Sequence, residues 1–282
     1  MKVKAFGKIN LTLDVVGRRQ DGYHLLDTVM QTVSIWDELE IQTGREKGVH
    51  LECNRESLPL DSKNTVYRAA KFFMEDQGLE NESLSIYIHK FIPTRSGMGG
   101  GSADAAAVLR GLNELYDAKL SQEKLMELGA KVGADVPFCV GGGAARCTGT
   151  GTQVAPAPMM PSCWLVVCKP PAGMSTPRAY ALLDQYPLSS TQATPRMMDA
   201  LNAGNLRRVA KGLANRFDET IRMNQVRGVK RGLLEAGAMG AMMTGSGSGV
   251  YGIFEAEQQA RSAMRQMEGY GKVFLVRPCT GV

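Results

Sequence analysis

The sequence predicts an α+β fold in two parts, and three observations predict it. About the first 40 residues alternate like strands. A glycine cluster opens directly into a helical stretch at "PTRSGMGGGSADAAAVLRGLN", Pro93–Asn113. Beyond the proline-rich "APAPMMPS", antiparallel-compatible strands mix with helices. Every element below follows from local pattern.

"VKAFGKINLTLDVVG" and "LDTVMQTVSIWDELEIQT" are rich in β-branched residues and read as strands joined by the polar bend "RRQDGYH". "GVHLECN" reads as another strand. "TVYRAAKFFMEDQG" has helical periodicity and ends at Gly78, a natural cap. "SLSIYIHKFIP" alternates up to Pro93. The next helix is expected from about Ser102, with Ser102 as N-cap and Asp104 in the first turn, where the macrodipole favours negative charge. "SQEKLMELGAKVG" is a helix capped by Ser121, and "GADVPFCVGGGAARCTGTGT" is too glycine-rich for a regular helix. The three prolines of "APAPMMPS" mark the domain boundary. After it come the strand "CWLVVCKP", the helix "TPRAYALLDQY" with proline near its first turn, and a helical stretch over residues 194–220. The helix "QVRGVKRGLLEAGA", the strands "AMMTGS" and "GVYGIFE", the helix "AEQQARSAMRQMEG" and the strand "KVFLVRP" complete the chain. There is no internal repeat.

Composition narrows the class. The chain has 282 residues, 44% hydrophobic and 22% charged, enough for two modest domains or one large one. No run approaches the about 18 apolar residues of a membrane span. The opening "MKVKAFGKINLTLD" lacks the apolar core of a signal peptide, so a cytoplasmic protein is expected. Cys53, Cys139, Cys147, Cys163, Cys168 and Cys279 form no C-x-x-C pair, and the three histidines are scattered. Free buried thiols are expected rather than a disulfide or zinc framework. A net charge of +5 is too small and dispersed for nucleic acid.

The glycine cluster carries the chemistry. A strand, then glycines, then a helix N-terminus exposes unpartnered N–H groups at the positive end of a macrodipole. On the residues alone two readings stand: a phosphate cradle, or a surface loop or tight turn where a helix packs closely on a strand. The string is not a Walker A loop, which requires G-x-x-x-x-G-K-[ST]. Nor is it the dinucleotide fingerprint, because Ser102 replaces the third glycine. No H-R-D loop of a protein kinase is present. Lys8, in "GKIN", sits mid-strand: it is either paired with an anion or on the solvent face of an edge strand. Asn10 follows two residues on and faces the same side. Asp135, in "GADVPF", is a turn aspartate or a carboxylate aimed into a cleft.

"PTRSGMGGGSADAA" resembles the phosphate-binding motif of the galactokinase, homoserine kinase, mevalonate kinase and phosphomevalonate kinase superfamily. "GKINLTLDVVGRRQDGYHLL" and "TGSGSGVYGIF" match its other two motifs. "KINLTL", "DGYH", "GADVPF" and "STPRAY", in that order, are similar to the branch that phosphorylates a cytidine-diphosphate-linked sugar alcohol on its 2-hydroxyl, in isoprenoid precursor synthesis. The likeness runs nearly end to end.

The resemblance implies a ribosomal protein S5 domain 2-like ATP-binding domain over residues 1–156. A ferredoxin-like α/β sandwich follows over residues 157–282, with the active site in the cleft between them. ATP, carried with Mg2+, is the implied donor. It is held by Pro93, Thr94, Arg95, Ser96, Gly97, Met98, Gly99, Gly100, Gly101, Ser102 and Ala103, with Asn64 near the adenine and also the N-cap of its helix. Asp135 is the implied base and Lys8 its partner. Asn10 holds the acceptor hydroxyl region. Tyr23 and His24 contact the cytosine, with Tyr180 the second ring across from them and Thr176 a further substrate contact. For Tyr180, core packing on an amphipathic helix is the plain alternative. Thr244–Gly249 is expected to close over the site. Two departures stand out: Ala103 replaces a usual serine, and "NRFDE", with Asn215 and Asp218, replaces an N-D-L-E-like string. No nucleic acid, no membrane and a monomer or homodimer complete the expectation. Another alcohol kinase of the superfamily, acting on homoserine or mevalonate, is the alternative; it has no use for the aromatic–imidazole pair of "DGYH". A non-catalytic nucleotide binder is a third, disfavoured by the joint presence of Lys8 and Asp135.

Overall fold

A computed structural model describes residues 1–44, 46–187 and 192–281. In chain order the elements are β1 (Lys2–Arg18), β2 (His24–Thr43), β3 (Gly48–Cys53), α1 (Thr65–Gln77), β4 (Ser83–His89), α2 (Gly100–Leu115), α3 (Gln122–Val132), α4 (Val136–Gly141), β5 (Ala144–Gly149) and β6 (Gln153–Pro156). There follow β7 (Trp164–Lys169), α5 (Thr176–Leu183), α6 (Ala193–Asn202), α7 (Leu206–Lys211), β8 (Ala214–Asn215), α8 (Arg216–Thr220), α9 (Asn224–Glu235), β9 (Gly240–Met243), β10 (Val250–Phe254), α10 (Glu257–Gln266) and β11 (Lys272–Val276).

The first sheet runs β3-β4-β2-β1-β8, with β5 also pairing β2 and β6 pairing β5. One face is covered by α1, α2, α3 and α4, whose apolar residues (Phe73, Leu109, Leu112, Leu128 and Phe138) meet Leu39, Ile41, Leu84 and Ile86 of the sheet. The second sheet runs β11-β7-β10-β9, antiparallel throughout. The order of its strands and helices, β7, helices, β9, β10, α10, β11, is the β-α-β-β-α-β pattern of a ferredoxin-like layer.

Alternation along β7 explains how the two sheets share a core. Leu165 and Val167 face β1 and β2, where they join Ile9, Leu11 and Val29. Val166 and Cys168 face α9 and α10 on the opposite side. Both faces of the second sheet are therefore buried, as a period-two pattern of continuous apolar residues requires. β8 pairs parallel with Thr12 and Leu13 of β1, and Pro278 bridges Val33, so the chain beyond residue 157 returns twice to the first sheet.

Four local expectations need correction. α2 begins at Gly100 with Gly99, φ 69°, as its N-cap, so Ser102 is the third helical residue and caps nothing. Asp104 lies past the first turn and is buried against Lys90, 2.7 Å away, so a buried cation and not the macrodipole accounts for it. "VPFCVG" does form a short helix, α4, because Pro137 occupies its first turn and the five residues after Asp135 are buried. Residues 194–220 break into three helices and a two-residue strand, since β1 offers an edge for Ala214 and Asn215. Among the described residues no helix is long and apolar enough to cross a membrane. All six cysteines are free thiols. Burial pushes the Cys147 and Cys163 thiols up to about 12.

Candidate active site

Beside the first sheet lies a cleft of about 1360 Å³, lined by the glycine segment, Lys8, Asn10, Asp135, Tyr23, His24, Thr176, Tyr180 and Asn64 among others. Single-ligand pockets usually span about 300–1,000 Å³, so the volume suits two substrates. At its floor the segment Pro93–Gly99 folds as a loop in which Gly97 (φ 77°) and Gly99 (φ 69°) take the left-handed conformation. Gly97 has a second reason to be glycine: a Cβ there would lie 1.9 Å from Thr244 O. At Gly99 a Cβ would crowd the Lys8 side chain at 3.1 Å. α2 has no side-chain cap, so the first N–H groups, of Gly100, Gly101 and Ser102, have no acceptor in the helix and stand at its positive end. Arg95, also left-handed at φ 52°, lines the cleft and forms no ion pair among the described residues.

Register shifts in the β1–β2 ladder fall between Phe6 and Lys8 and between Asn10 and Thr12. Such bulges re-aim side chains. They bracket the segment that turns Lys8 and Asn10 to one place: Lys8 Nζ donates to Asn10 Oδ1 at 2.7 Å and lies 3.3 Å from Asp135 Oδ2. The Lys8 side chain is only 4% exposed and Asp135 29%, so the lysine is enclosed while the carboxylate reaches the open cleft. Lys8 N donates to Met98 O, tying β1 to the glycine loop. Asn10 is a fully buried hub. Its Oδ1 also accepts from Gly245 N (3.0 Å), its Nδ2 donates to Thr28 Oγ1 (2.9 Å), and its carbonyl accepts from Tyr251 Oη (2.8 Å). Its amide oxygen is thus committed to Lys8 and to the C-terminal glycine turn. That turn packs against the Pro93–Gly99 loop: Gly249 N donates to Ser96 O at 3.0 Å, and Ser248 N to Arg95 O at 3.3 Å.

The far end of the cleft carries aromatic groups. Tyr23, on the β1–β2 bend, is 65% exposed. His24 stacks on Tyr180 with centroids 4.5 Å apart and planes at 22°, and Phe217 meets Tyr180 edge-on at 4.9 Å. An interposed base needs about 7 Å, twice a van der Waals contact, so His24 and Tyr180 form one wall rather than two sides of a slot. Burial keeps the Tyr180 phenol well above its ordinary pKa and therefore neutral. Thr176 Oγ1 lies 3.1 Å from Ser246 Oγ, joining the start of α5 to the C-terminal glycine turn. Asn64 caps α1 by accepting from Val66 N at 2.9 Å and lines the cleft at the glycine loop's outer side.

Residues 64–143 match the GHMP kinases N terminal domain, and residues 197–273 match GHMP kinases C terminal. The chain is 41% identical over 283 residues to the 4-diphosphocytidyl-2-C-methyl-D-erythritol kinase of Caldicellulosiruptor saccharolyticus, covering 99% of this chain and 97% of that one. The chain belongs to the 4-diphosphocytidyl-2-C-methyl-D-erythritol kinase family. The Clostridium tetani kinase of that name is 37% identical, with 98% and 99% covered. A crystal structure of a 4-(cytidine 5'-diphospho)-2C-methyl-D-erythritol kinase superposes with a TM-score of 0.83 at 30% identity, covering 99% of this chain and all of that one. The two-domain α+β kinase fold expected from the sequence is therefore the fold of this 4-diphosphocytidyl-2-C-methyl-D-erythritol kinase family member.

Within this kinase fold, both departures noted in the sequence acquire a place. Ala103 packs into the core of the first sheet, so its side chain does not lie on the open side of the helix end. Asn215 donates to Met243 O (2.8 Å) and Gly245 O (2.9 Å), holding the C-terminal glycine turn, while Asp218 pairs with Lys230 at 2.5 Å. Two features of the site escape a reading of the sequence. Lys90 lines the cleft and is enclosed by Asp37 and Asp104. Burial would lower the Lys90 ammonium, but Asp104 and Asp37 outweigh it and hold it above the usual lysine range. Burial raises Asp104 to about 8, against the pull of Lys90, because one ammonium cannot balance two enclosed carboxylates. Nothing in "HKFIP" signals this, since the partners lie 53 and 14 residues away. The second is Asp184, whose Oδ1 lies 2.6 Å from His24 Nε2 across 160 residues.

Proposed function

We propose that the protein transfers the γ-phosphoryl group of ATP to the 2-hydroxyl of 4-diphosphocytidyl-2-C-methyl-D-erythritol. The observation that carries this reading is the meeting of Lys8 and Asp135, 3.3 Å apart, beside the uncapped N-terminus of α2 in one cleft. Phosphoryl transfer demands positioning and charge neutralisation more than covalent chemistry. The N–H groups of Gly100, Gly101 and Ser102, with the loop from Pro93, cradle the donor's phosphates. Asp135 accepts the proton of the attacking hydroxyl. Lys8 supplies the counter-charge as negative charge moves onto the acceptor oxygen and the transferring group. Asn10 acts one step back, holding Lys8 in place. Asn64, at the outer side of the loop, borders the adenine. We assign residues 1–156 to the donor domain and residues 157–282 to the acceptor domain; the shared core between the sheets makes them one body.

On the phosphate side the Ser102 hydroxyl is a hard oxygen donor, and with the phosphates supplying further ligands it would help hold Mg2+. Such an ion, carried with ATP, would supply charge neutralisation on the phosphates. At the other end Tyr23, His24 and Tyr180 present aromatic surface for the pyrimidine, and Thr176 with Ser246 presents hydroxyls to the linking diphosphate.

The test is ADP release by the purified protein with 4-diphosphocytidyl-2-C-methyl-D-erythritol, homoserine, mevalonate and galactose as acceptors. Turnover with the first alone is expected. Turnover with homoserine or mevalonate and none with the cytidyl substrate would replace this reading by the homologous alcohol kinase.

A further inference from the structure

One corner of the cleft carries positive charge that no carboxylate answers. Arg95 lines the cleft, is exposed, and holds a left-handed φ of 52°. A residue with a side chain seldom takes that conformation, and one held in it marks a place where the surroundings over-determine the chain, commonly a ligand clamp. Ser248 N fixes the peptide by donating to Arg95 O at 3.3 Å. The Arg95 stem is laid along Gly173: its Cβ and Cδ lie 3.6 and 3.7 Å from where a Cβ on that glycine would stand. The loop over residues 170–175 is itself pinned. Lys169 Nζ donates to Pro170 O at 2.7 Å and Ala172 O at 2.8 Å, Ser248 Oγ donates to Ala172 O, and Ala172 N donates to Gln225 Oε1 at 2.9 Å. Gly173 is therefore a fixed rail for the arginine. Lys169 brings a second cation to the same corner. Burial lowers its ammonium from the usual lysine value, and the charge of Arg95 lowers it further. Neither cation has a carboxylate partner among the described residues.

Two cations that repel each other and meet no anion favour one that arrives. Charge alone does not say which, because ATP and the proposed acceptor both bring phosphates. Placement decides. The side chains that would crowd a Cβ at Gly99, Gly100 or Gly101, where α2 begins, are Lys8, Ile92, Lys90 and Thr65, and Arg95 is not among them. Its stem lies instead on the loop that runs into α5, where Thr176 Oγ1 is 3.1 Å from Ser246 Oγ. We propose that the Arg95 side chain is a specificity-determining group for the acceptor: its guanidinium holds the linking diphosphate, while the main chain of the same glycine loop serves the donor. The planar fork of a guanidinium matches two phosphate oxygens at once, which a point charge does not. Lys169 acts one step back, holding the rail and adding to the positive potential. Homoserine and mevalonate carry no diphosphate and gain nothing from this corner. The inference deepens the cytidyl reading above and rests on its placing a diphosphate-linked acceptor in the cleft.

The experiment compares the full-length wild-type protein with Arg95→Gly and Arg95→Lys. Glycine removes the guanidinium and accepts the left-handed φ, so the loop keeps its shape. Lysine keeps a charge and loses the fork. CDP, cytidine and ADP are titrated into each protein, and KM is measured separately for the cytidyl substrate and for ATP. Wild type is expected to bind CDP more tightly than cytidine by about tenfold or more. Arg95→Gly should lose about tenfold in CDP affinity and raise KM for the cytidyl substrate by a similar factor, with cytidine affinity, ADP affinity and KM for ATP nearly unchanged. Arg95→Lys should recover part of the CDP affinity. Added salt should narrow the gap between CDP and cytidine in wild type more than in Arg95→Gly. A loss in ADP affinity or KM for ATP as large as that for CDP overturns the proposal and returns the guanidinium to the donor. Equal losses for CDP and cytidine overturn it as well, marking a merely structural contact, and so does an unchanged CDP affinity in Arg95→Gly. A wild-type protein that holds CDP through Arg95 but does not phosphorylate the cytidyl methylerythritol would sink the acceptor assignment and leave this inference standing. Turnover of that acceptor with the same KM in Arg95→Gly would do the reverse.

Discussion

At the scale of single residues, the site is decided by which charges are enclosed together. Lys8 is buried beside one carboxylate that reaches solvent. Removing the carboxylate's charge, in Asp135→Asn, is expected to cut kcat by about 10²- to 10⁴-fold while ATP affinity, read by titration, stays within a few-fold of wild type. Normal turnover in that variant would remove Asp135 from the base role. Lys90 is the opposite case, enclosed by two carboxylates with Asp104 raised to about 8. The folded state holds a proton on Asp104 that the unfolded chain releases near pH 4. Asp104 therefore adds stability that is full below about pH 4 and is lost as pH rises through about 8. Thermal melts between pH 6 and 9 should show wild type losing Tm with rising pH, and Asp104→Asn losing less. Parallel pH profiles for the two proteins would show that the extra proton is not held there.

Elements carry the next level, because the glycine loop before α2 interlocks with the C-terminal glycine turn. Gly97 takes a left-handed φ and lies against Thr244 O with no space for a methyl group. Gly97→Ala is expected to cost about 2–4 kcal/mol in denaturant unfolding and to weaken ATP binding, since the loop can relieve the clash only by moving off the C-terminal turn. A variant with wild-type stability would mean that the turns do not lock. Asn64 tests a milder device. Its cap on α1 makes Asn64→Ala about 1 kcal/mol less stable. If Asn64 also borders the adenine, KM for ATP rises in the same variant; a stability loss with unchanged KM would leave it a cap alone.

For the molecule as a whole, the decisive feature is that the core between the two sheets draws on both halves of the chain. Ile9, Leu11 and Val29 pack with Leu165, Val167 and Tyr251, and the Tyr251 hydroxyl reaches the Asn10 carbonyl. A chain with two separate cores unfolds in two steps; one with a shared core unfolds as a unit. Circular dichroism and tyrosine fluorescence should give one coincident transition, with calorimetric and van't Hoff enthalpies equal. Two resolved transitions would show that residues 1–156 and 157–282 fold independently.

Most strands and helices were legible in the sequence, because period-two alternation, caps such as Ser121 and Gly78, and the prolines act within a few residues of where they sit. A glycine turn running into a helix was legible for the same reason, since glycines and a helix start are local facts. The start of α2 was misread at Ser102 because a hydroxyl resembles a cap wherever it falls, whereas a left-handed Gly99 does the work only once Lys8 and Thr244 crowd the loop. Sequence by itself thus determined the class of fold and most of its elements. Only the tertiary structure decided which charges meet: Lys8 with Asp135, Lys90 with Asp37 and Asp104, and His24 with Asp184. The physical reason is that local conformation depends on neighbours along the chain, while the energy of a buried charge depends on partners that packing alone brings within a few ångströms.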